Sequence, residues 1–139
     1  MKKILVIITM IFCLCHATNV SGSVSGTWSA SNSPYYVTGN VIVSSGASLT
    51  IDPGVEIIFN GDYFMEVDGT LTCNGTSDNI IQFRGADNTK QGSIILNNTE
   101  TAPSFSHCKF KNLNEGILYD DFQDQLWDDV WNKELNEGD

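Results

Sequence analysis

The sequence predicts an all-β protein: a short right-handed parallel β-helix of about three coils, preceded by an export signal. Three observations predict it. Short alternating apolar runs, divided by Gly, Pro, Asn and Asp, fill the middle of the chain. The runs recur at a nearly constant offset. Equivalent positions in successive rows keep the same character, as stacked coils require.

The chain has 139 residues and opens on Met1-Lys2-Lys3, followed by an apolar run from Ile4 to Leu14. That run is shorter than the roughly 20 residues needed to span a bilayer. A charged start, a short apolar stretch and small residues after it describe a secretory signal peptide. Cys15-His16-Ala17 offers a cleavage site, so residues 1–17 are assigned to the signal, with Gly22 as the alternative cut. Leu14 stands where a lipid-attachment site at Cys15 needs a small residue. No other stretch is apolar enough to span a membrane, and the expected location is extracytoplasmic, secreted or at the cell surface.

Residues 18–119 are assigned to the coils. The row Val41-Ile42-Val43, Leu49-Thr50-Ile51, Val55-Glu56-Ile57-Ile58-Phe59 is matched by Met65-Glu66-Val67, Leu71-Thr72-Cys73, Asn79-Ile80-Ile81-Gln82-Phe83, at offsets of 24, 22 and 24 residues. A looser third row holds Ile94-Ile95-Leu96 and Phe105 to Phe110, with its extra length in the polar segment 85–91. A fourth begins at Ile117-Leu118-Tyr119. Antiparallel hairpins have no reason to keep a period, whereas parallel coils about 4.8 Å apart stack equivalent side chains into continuous ladders. This alignment sets Phe59 against Phe83 as one interior aromatic stack. It sets Cys73 against Ile51 and Cys108 against Ile81, and so predicts two buried, separated thiols rather than a disulfide.

Residues 120–139 change character. Phe122, Leu126 and Val130 fall at i, i+4 and i+8, with Trp127 and Trp131 continuing the face and acids filling the remainder. The segment is predicted as an acidic amphipathic tail, helical over 121–135 and laid over, or beside, the last coil, the alternative being a disordered acidic tail.

The net charge of −10 divides into +2 on Lys2 and Lys3, −4 over residues 18–114 and −8 over 115–139. Such a balance argues against a nucleic-acid partner, which needs a basic face.

Segment 26–96 resembles the N-terminal part of large secreted bacterial β-helix proteins of the pectin-lyase-like superfamily. The resemblance lies in Gly26-Thr27-Trp28, Ser33-Pro34-Tyr35-Tyr36-Val37, Leu49-Thr50-Ile51-Asp52-Pro53-Gly54-Val55, Val67-Asp68-Gly69-Thr70-Leu71 and Gly92-Ser93-Ile94-Ile95-Leu96. It implies the fold and export. It does not fix an activity, because relatives include lyases, hydrolases and adhesins.

Lyases of that superfamily use a basic residue as proton acceptor beside calcium-binding acids. The chain's one arginine, Arg84, sits at a strand end, where a solvated charge is the simpler reading. Glu56 and Glu66 both alternate outward but on different strands, so nothing brings them together as a glycosidase pair. His107 points outward alone, and one histidine is not a metal site. Asp120, Asp121, Asp124, Asp128 and Asp129 lack the glycine and closing glutamate of an EF-hand loop. No catalytic residue, metal site or cofactor is therefore assigned. Trp28, Tyr35 and Tyr36 are candidates for stacking on sugars, against the plainer reading that they cover the open N-terminal end of the core. The expected function is a non-catalytic module with a structural or surface-binding role, its partner a polysaccharide or cell-surface glycan. The alternatives are a polysaccharide lyase or hydrolase, and a fragment of a larger β-helix surface protein.

A β-helix end exposes apolar side chains and unpaired strand edges, which invite association. Deleting residues 120–139 should therefore produce aggregation in light scattering. A truncated protein that stays monomeric and melts at the same temperature would rule out the cap.

Overall fold

The computed structural model describes residues 16–97, 101–114 and 117–119. Twelve strands are present among them: β1 (Thr18–Ser23), β2 (Gly26–Trp28), β3 (Tyr35–Val43), β4 (Ser48–Ile51), β5 (Glu56–Phe59), β6 (Phe64–Val67), β7 (Thr70–Asn74), β8 (Ile81–Gly85), β9 (Ser93–Leu96), β10 (Ser104–Ser106), β11 (Cys108–Lys111) and β12 (Ile117–Tyr119). A 3-10 turn, Ala30–Asn32, joins β2 to β3. The tail predicted as a helix over 121–135 and most of the predicted signal lie outside the described residues.

Every pairing between these strands is parallel, and successive strands pair with the coil before and the coil after rather than with each other. The chain therefore winds as a parallel β-helix. Its first face runs β1, β3, β5, β8, β11, and its second runs β3, β6, β9, β12. The third is a separate sheet in the order β2, β4, β7, β10. The long strand β3 serves two faces: Tyr35–Val37 pair with β5, and Val41–Val43 pair with β6. The coil formed by β1 and β2 precedes the first row of the sequence repeat.

The interior follows from alternation. In β6, β7 and β9 every second residue is buried, namely Met65 and Val67, Leu71 and Cys73, Ile94 and Leu96. Parallel register stacks these residues in columns. Val41, Met65, Ile94 and Ile117 form one. Trp28, Ile51, Cys73 and Phe105 form another, and Tyr35, Ile57, Phe83 and Phe110 a third. No polar or charged side chain is buried among the described residues. Each aliphatic or phenylalanine side chain so enclosed is worth about 1.5–3 kcal/mol relative to exposure.

The expected stack of Phe59 on Phe83 is not formed. The register pairs Ile57 with Phe83 and Phe59 with Gly85, an offset two residues longer than the one read from the repeat. The cause is the corner between β7 and β8. There Thr76 and Asn79 close a turn of their own through Thr76 N–H to Asn79 O (3.0 Å) and Asn79 N–H to Thr76 Oγ1 (3.1 Å). Both rings remain interior. Phe83 stacks instead on Phe110, with centroids 5.2 Å apart and planes at 14°. Phe59 takes the space left by Gly92, since a Cβ there would fall within its ring.

Corners absorb the unequal coil lengths. The extra residues between β8 and β9 make a small exposed loop, as the polar composition of 85–91 predicts. Asp87 organises it by accepting from the Thr89 hydroxyl (2.6 Å), the Thr89 amide (2.8 Å) and the Lys90 amide (2.9 Å). The Thr89 hydroxyl first, then the amides, hold the Asp87 carboxyl below its ordinary range. The loop is thus best ordered above the ordinary carboxylate range and loosens as pH falls through the lowered one.

The cysteine register is the predicted one, with Ile51 opposite Cys73 and Ile81 opposite Cys108. Both are free thiols on different strands, as predicted, but they are not far apart. Residue His107 alone makes the corner from β10 to β11, at φ 49°, and swings Cys108 back so that its Sγ lies 3.6 Å from the Cys73 carbonyl oxygen. Cys73 is buried, whereas Cys108 is half-buried rather than enclosed.

Phe83 is fully buried within an interior column, between Ile57 and Phe110. Phe83→Ala should cost about 3–5 kcal/mol, most of what a domain of this size has to lose. Urea unfolding followed by circular dichroism measures it, and an unchanged midpoint would place the ring outside the core.

Candidate functional surface

The outward side chains differ sharply from face to face. On the first face they are charged or large: Glu56, Gln82 and Lys109 in one column, Tyr36, Ile58, Arg84 and Lys111 in the next. Arg84 Nε donates to Glu56 Oε1 at 2.6 Å, with the two side chains 31% and 33% exposed. The partner is therefore the carboxylate of the preceding coil, not Asp78 or Asp87, the nearest acids in sequence. An exposed pair of this kind contributes little stability, about 0–1 kcal/mol, and it engages the arginine singled out from the sequence.

Glu56 and Glu66 stand on β5 and β6, on different faces, and each has its own partner. Asn97 Nδ2 bridges Glu66 Oε1 (2.7 Å) and Asp68 Oδ1 (2.6 Å) on the second face. Two carboxylates tied to different neighbours on different faces do not form an acid–nucleophile pair. His107 is exposed, and its Nδ1 lies 3.0 Å from Ser106 Oγ. Among the described residues, no group of three or more His, Cys, Asp or Glu is placed to hold a metal ion. No helix among them is long and apolar enough to cross a membrane.

Two of the three aromatic candidates are placed together, facing inward. Trp28 and Tyr35 stack with ring centroids 4.7 Å apart and planes at 9°. They are 6% and 3% exposed. The Tyr35 hydroxyl accepts from Ser29 N–H (2.9 Å) and lies 3.3 Å from Ser29 O, which fixes the ring edge as well as its face. Each ring stacks on the other and is buried, so neither offers a face to a sugar. Tyr36 alternates outward and is half-buried, in register with Ile58.

The third face is different. Its strands read Gly-Thr-Trp, Ser-Leu-Thr-Ile, Thr-Leu-Thr-Cys-Asn and Ser-Phe-Ser, without one charged residue. With Trp28, Leu49, Ile51, Leu71 and Cys73 buried, the residues between them point outward. Register aligns Thr27, Thr50, Thr72 and Ser104 in a single column. Ser48 and Thr70 form a second column beside it, and Asn74 and Ser106 a third. Hydroxyl groups therefore repeat at the strand spacing of about 4.8 Å along the first two columns, and the third sets the Ser106 hydroxyl beside the Asn74 amide. Period-two hydroxyls alternating with apolar residues were visible in the sequence at Ser48-Leu49-Thr50 and Thr70-Leu71-Thr72. Their alignment into a ladder follows only from the register.

Comparison with protein-family models, with curated proteins and with solved structures finds no match to this chain.

Proposed function

We propose that this chain is a secreted, non-catalytic β-helix module of the pectin-lyase-like kind, with a structural or surface-binding role and a polysaccharide as its partner. The observation that carries the proposal is the uncharged hydroxyl ladder of the third face. A neutral polysaccharide presents hydroxyls repeatedly along its length, and such a chain is recognised by repeated donors and acceptors rather than by charge. Threonine and serine hydroxyls supply both. Each net hydrogen bond is worth only about 0.5–1.5 kcal/mol, so affinity on such a face comes from repetition. The absence of charge on β2, β4, β7 and β10 lowers the desolvation cost of laying a neutral polymer there. The outward threonine methyls add apolar contact for sugar ring faces. This reading moves the contact from the aromatic residues to the ladder, with Tyr36 left as the only outward member of the aromatic set.

The test is depletion of the soluble protein by insoluble neutral polysaccharides such as cellulose, chitin and xylan. The unaltered protein should be depleted by at least one of them. Thr50→Lys and Thr72→Lys, which leave the interior untouched, should weaken that binding at least tenfold, and a Lys111→Ala control on the first face should not. Equal binding by all variants would remove the ladder from the account. Release of unsaturated uronates from pectin, dependent on calcium, would replace the whole reading with a lyase.

A further inference from the structure

We propose that Cys73 and Cys108 are a cross-link site, whose two thiols close to a disulfide when the folded chain meets a disulfide oxidant. The geometry that points to it is the corner between the third and first faces. Phe105 lies directly over Cys73 in the β7–β10 register, and the single residue His107 then turns the chain so that Cys108 enters β11 above Ile81. Cys108 Sγ lies 3.6 Å from Cys73 O and 3.4 Å from Ser106 O. That approach is imposed by the scaffold, because the corner is pinned on both sides by Gly75 N–H to Ser106 O (2.8 Å) and Ile81 N–H to His107 O (3.0 Å). The Cys108 sulfur thus rests against the backbone of Cys73 across a fixed corner, and the proposed bond forms by rotation of the two side chains.

Exposure sets the order of events. Cys73 is buried, and contact with the Cys108 thiol followed by burial pushes its pKa well above the usual thiol range, so it does not react first. Cys108 is half-buried at the end of the described coils and can reach solvent. Its thiolate attacks one sulfur of oxidised glutathione, forming a mixed disulfide and releasing one glutathione thiolate. Cys73 then attacks the Cys108 sulfur, expelling the second glutathione thiolate, which takes up the proton that Cys73 loses. Two protein thiols are oxidised by two electrons, and one glutathione disulfide is reduced to two thiols. The bond would tie β11 to β7 and constrain the chain between them in the unfolded state. Export determines where the chain meets an oxidant; it does not determine whether these thiols close, so the two claims fail separately.

The full chain, reduced and folded, is equilibrated in glutathione redox buffers, then alkylated in denaturant and mapped by peptide mass spectrometry, with thermal melts alongside. The expected result is one peptide pair linked through Cys73 and Cys108, with a melting temperature raised by about 5 °C or more and restored by dithiothreitol. Cys73→Val, which keeps an apolar side chain over Ile51, should instead retain one glutathione on Cys108. Three results would each overturn the proposal: both residues recovered alkylated from the oxidising buffer, a stable glutathione adduct on Cys108 of the unaltered chain, or a link from Cys108 to Cys13 or Cys15.

Discussion

Parallel stacking is the constraint on which this molecule depends. Each coil must return the chain to the same three faces, one strand spacing further on, so an interior side chain meets mainly the residue directly beneath it and the one directly above. Core composition is therefore set column by column. Val41, Met65, Ile94 and Ile117 share one column, and Trp28, Ile51, Cys73 and Phe105 another. With no polar side chain buried among the described residues, the interior is held by apolar contact alone, and the backbone ladders satisfy the peptide groups.

The same constraint explains the corners. Strands must stay in register, so differences in coil length are expelled into the turns, where they cost little in packing. Between β8 and β9 the surplus becomes the loop organised by Asp87; between β7 and β8 it becomes the turn closed by Thr76 and Asn79. Where the chain is shortest, at His107, there is no surplus, and residues from neighbouring strands are forced together. The nearness of Cys73 and Cys108 is a consequence of that short corner. Tight corners also demand small residues. A Cβ on Gly69 would strike the carbonyl oxygens of Ala47 and Ser44, which belong to the corner of the coil before.

Most of the fold was legible in the sequence because a solenoid writes its period into the chain. Leu49 over Leu71, Val43 over Val67 and Phe83 beneath Phe110 follow from spacing and alternation alone. Less was legible where a turn changes length. The match of Phe59 to Phe83 looked better as chemistry than the match of Phe59 to Gly85. Only the closed turn at Thr76–Asn79, together with the room left by Gly92, decides for the latter. The candidate surface was legible in part. Alternating hydroxyls at 48–50 and 70–72 are plain in the sequence, but they become a ladder only once β2, β4, β7 and β10 are known to form one sheet. Trp28 and Tyr35 carried the opposite lesson. Their residue types suit a sugar platform, yet both rings are buried and stacked on each other inside the coils.

The central claim is that successive coils pair in parallel with the register described, and nuclear Overhauser contacts between backbone protons test it most directly. Parallel pairing of β4 with β7 predicts contacts that link residues around Leu49 to residues around Leu71, repeated in the same direction along both strands, with no close Hα–Hα pairs between strands. Strong Hα–Hα contacts between neighbouring strands, running in opposite directions along the chain, would establish antiparallel hairpins and contradict the account.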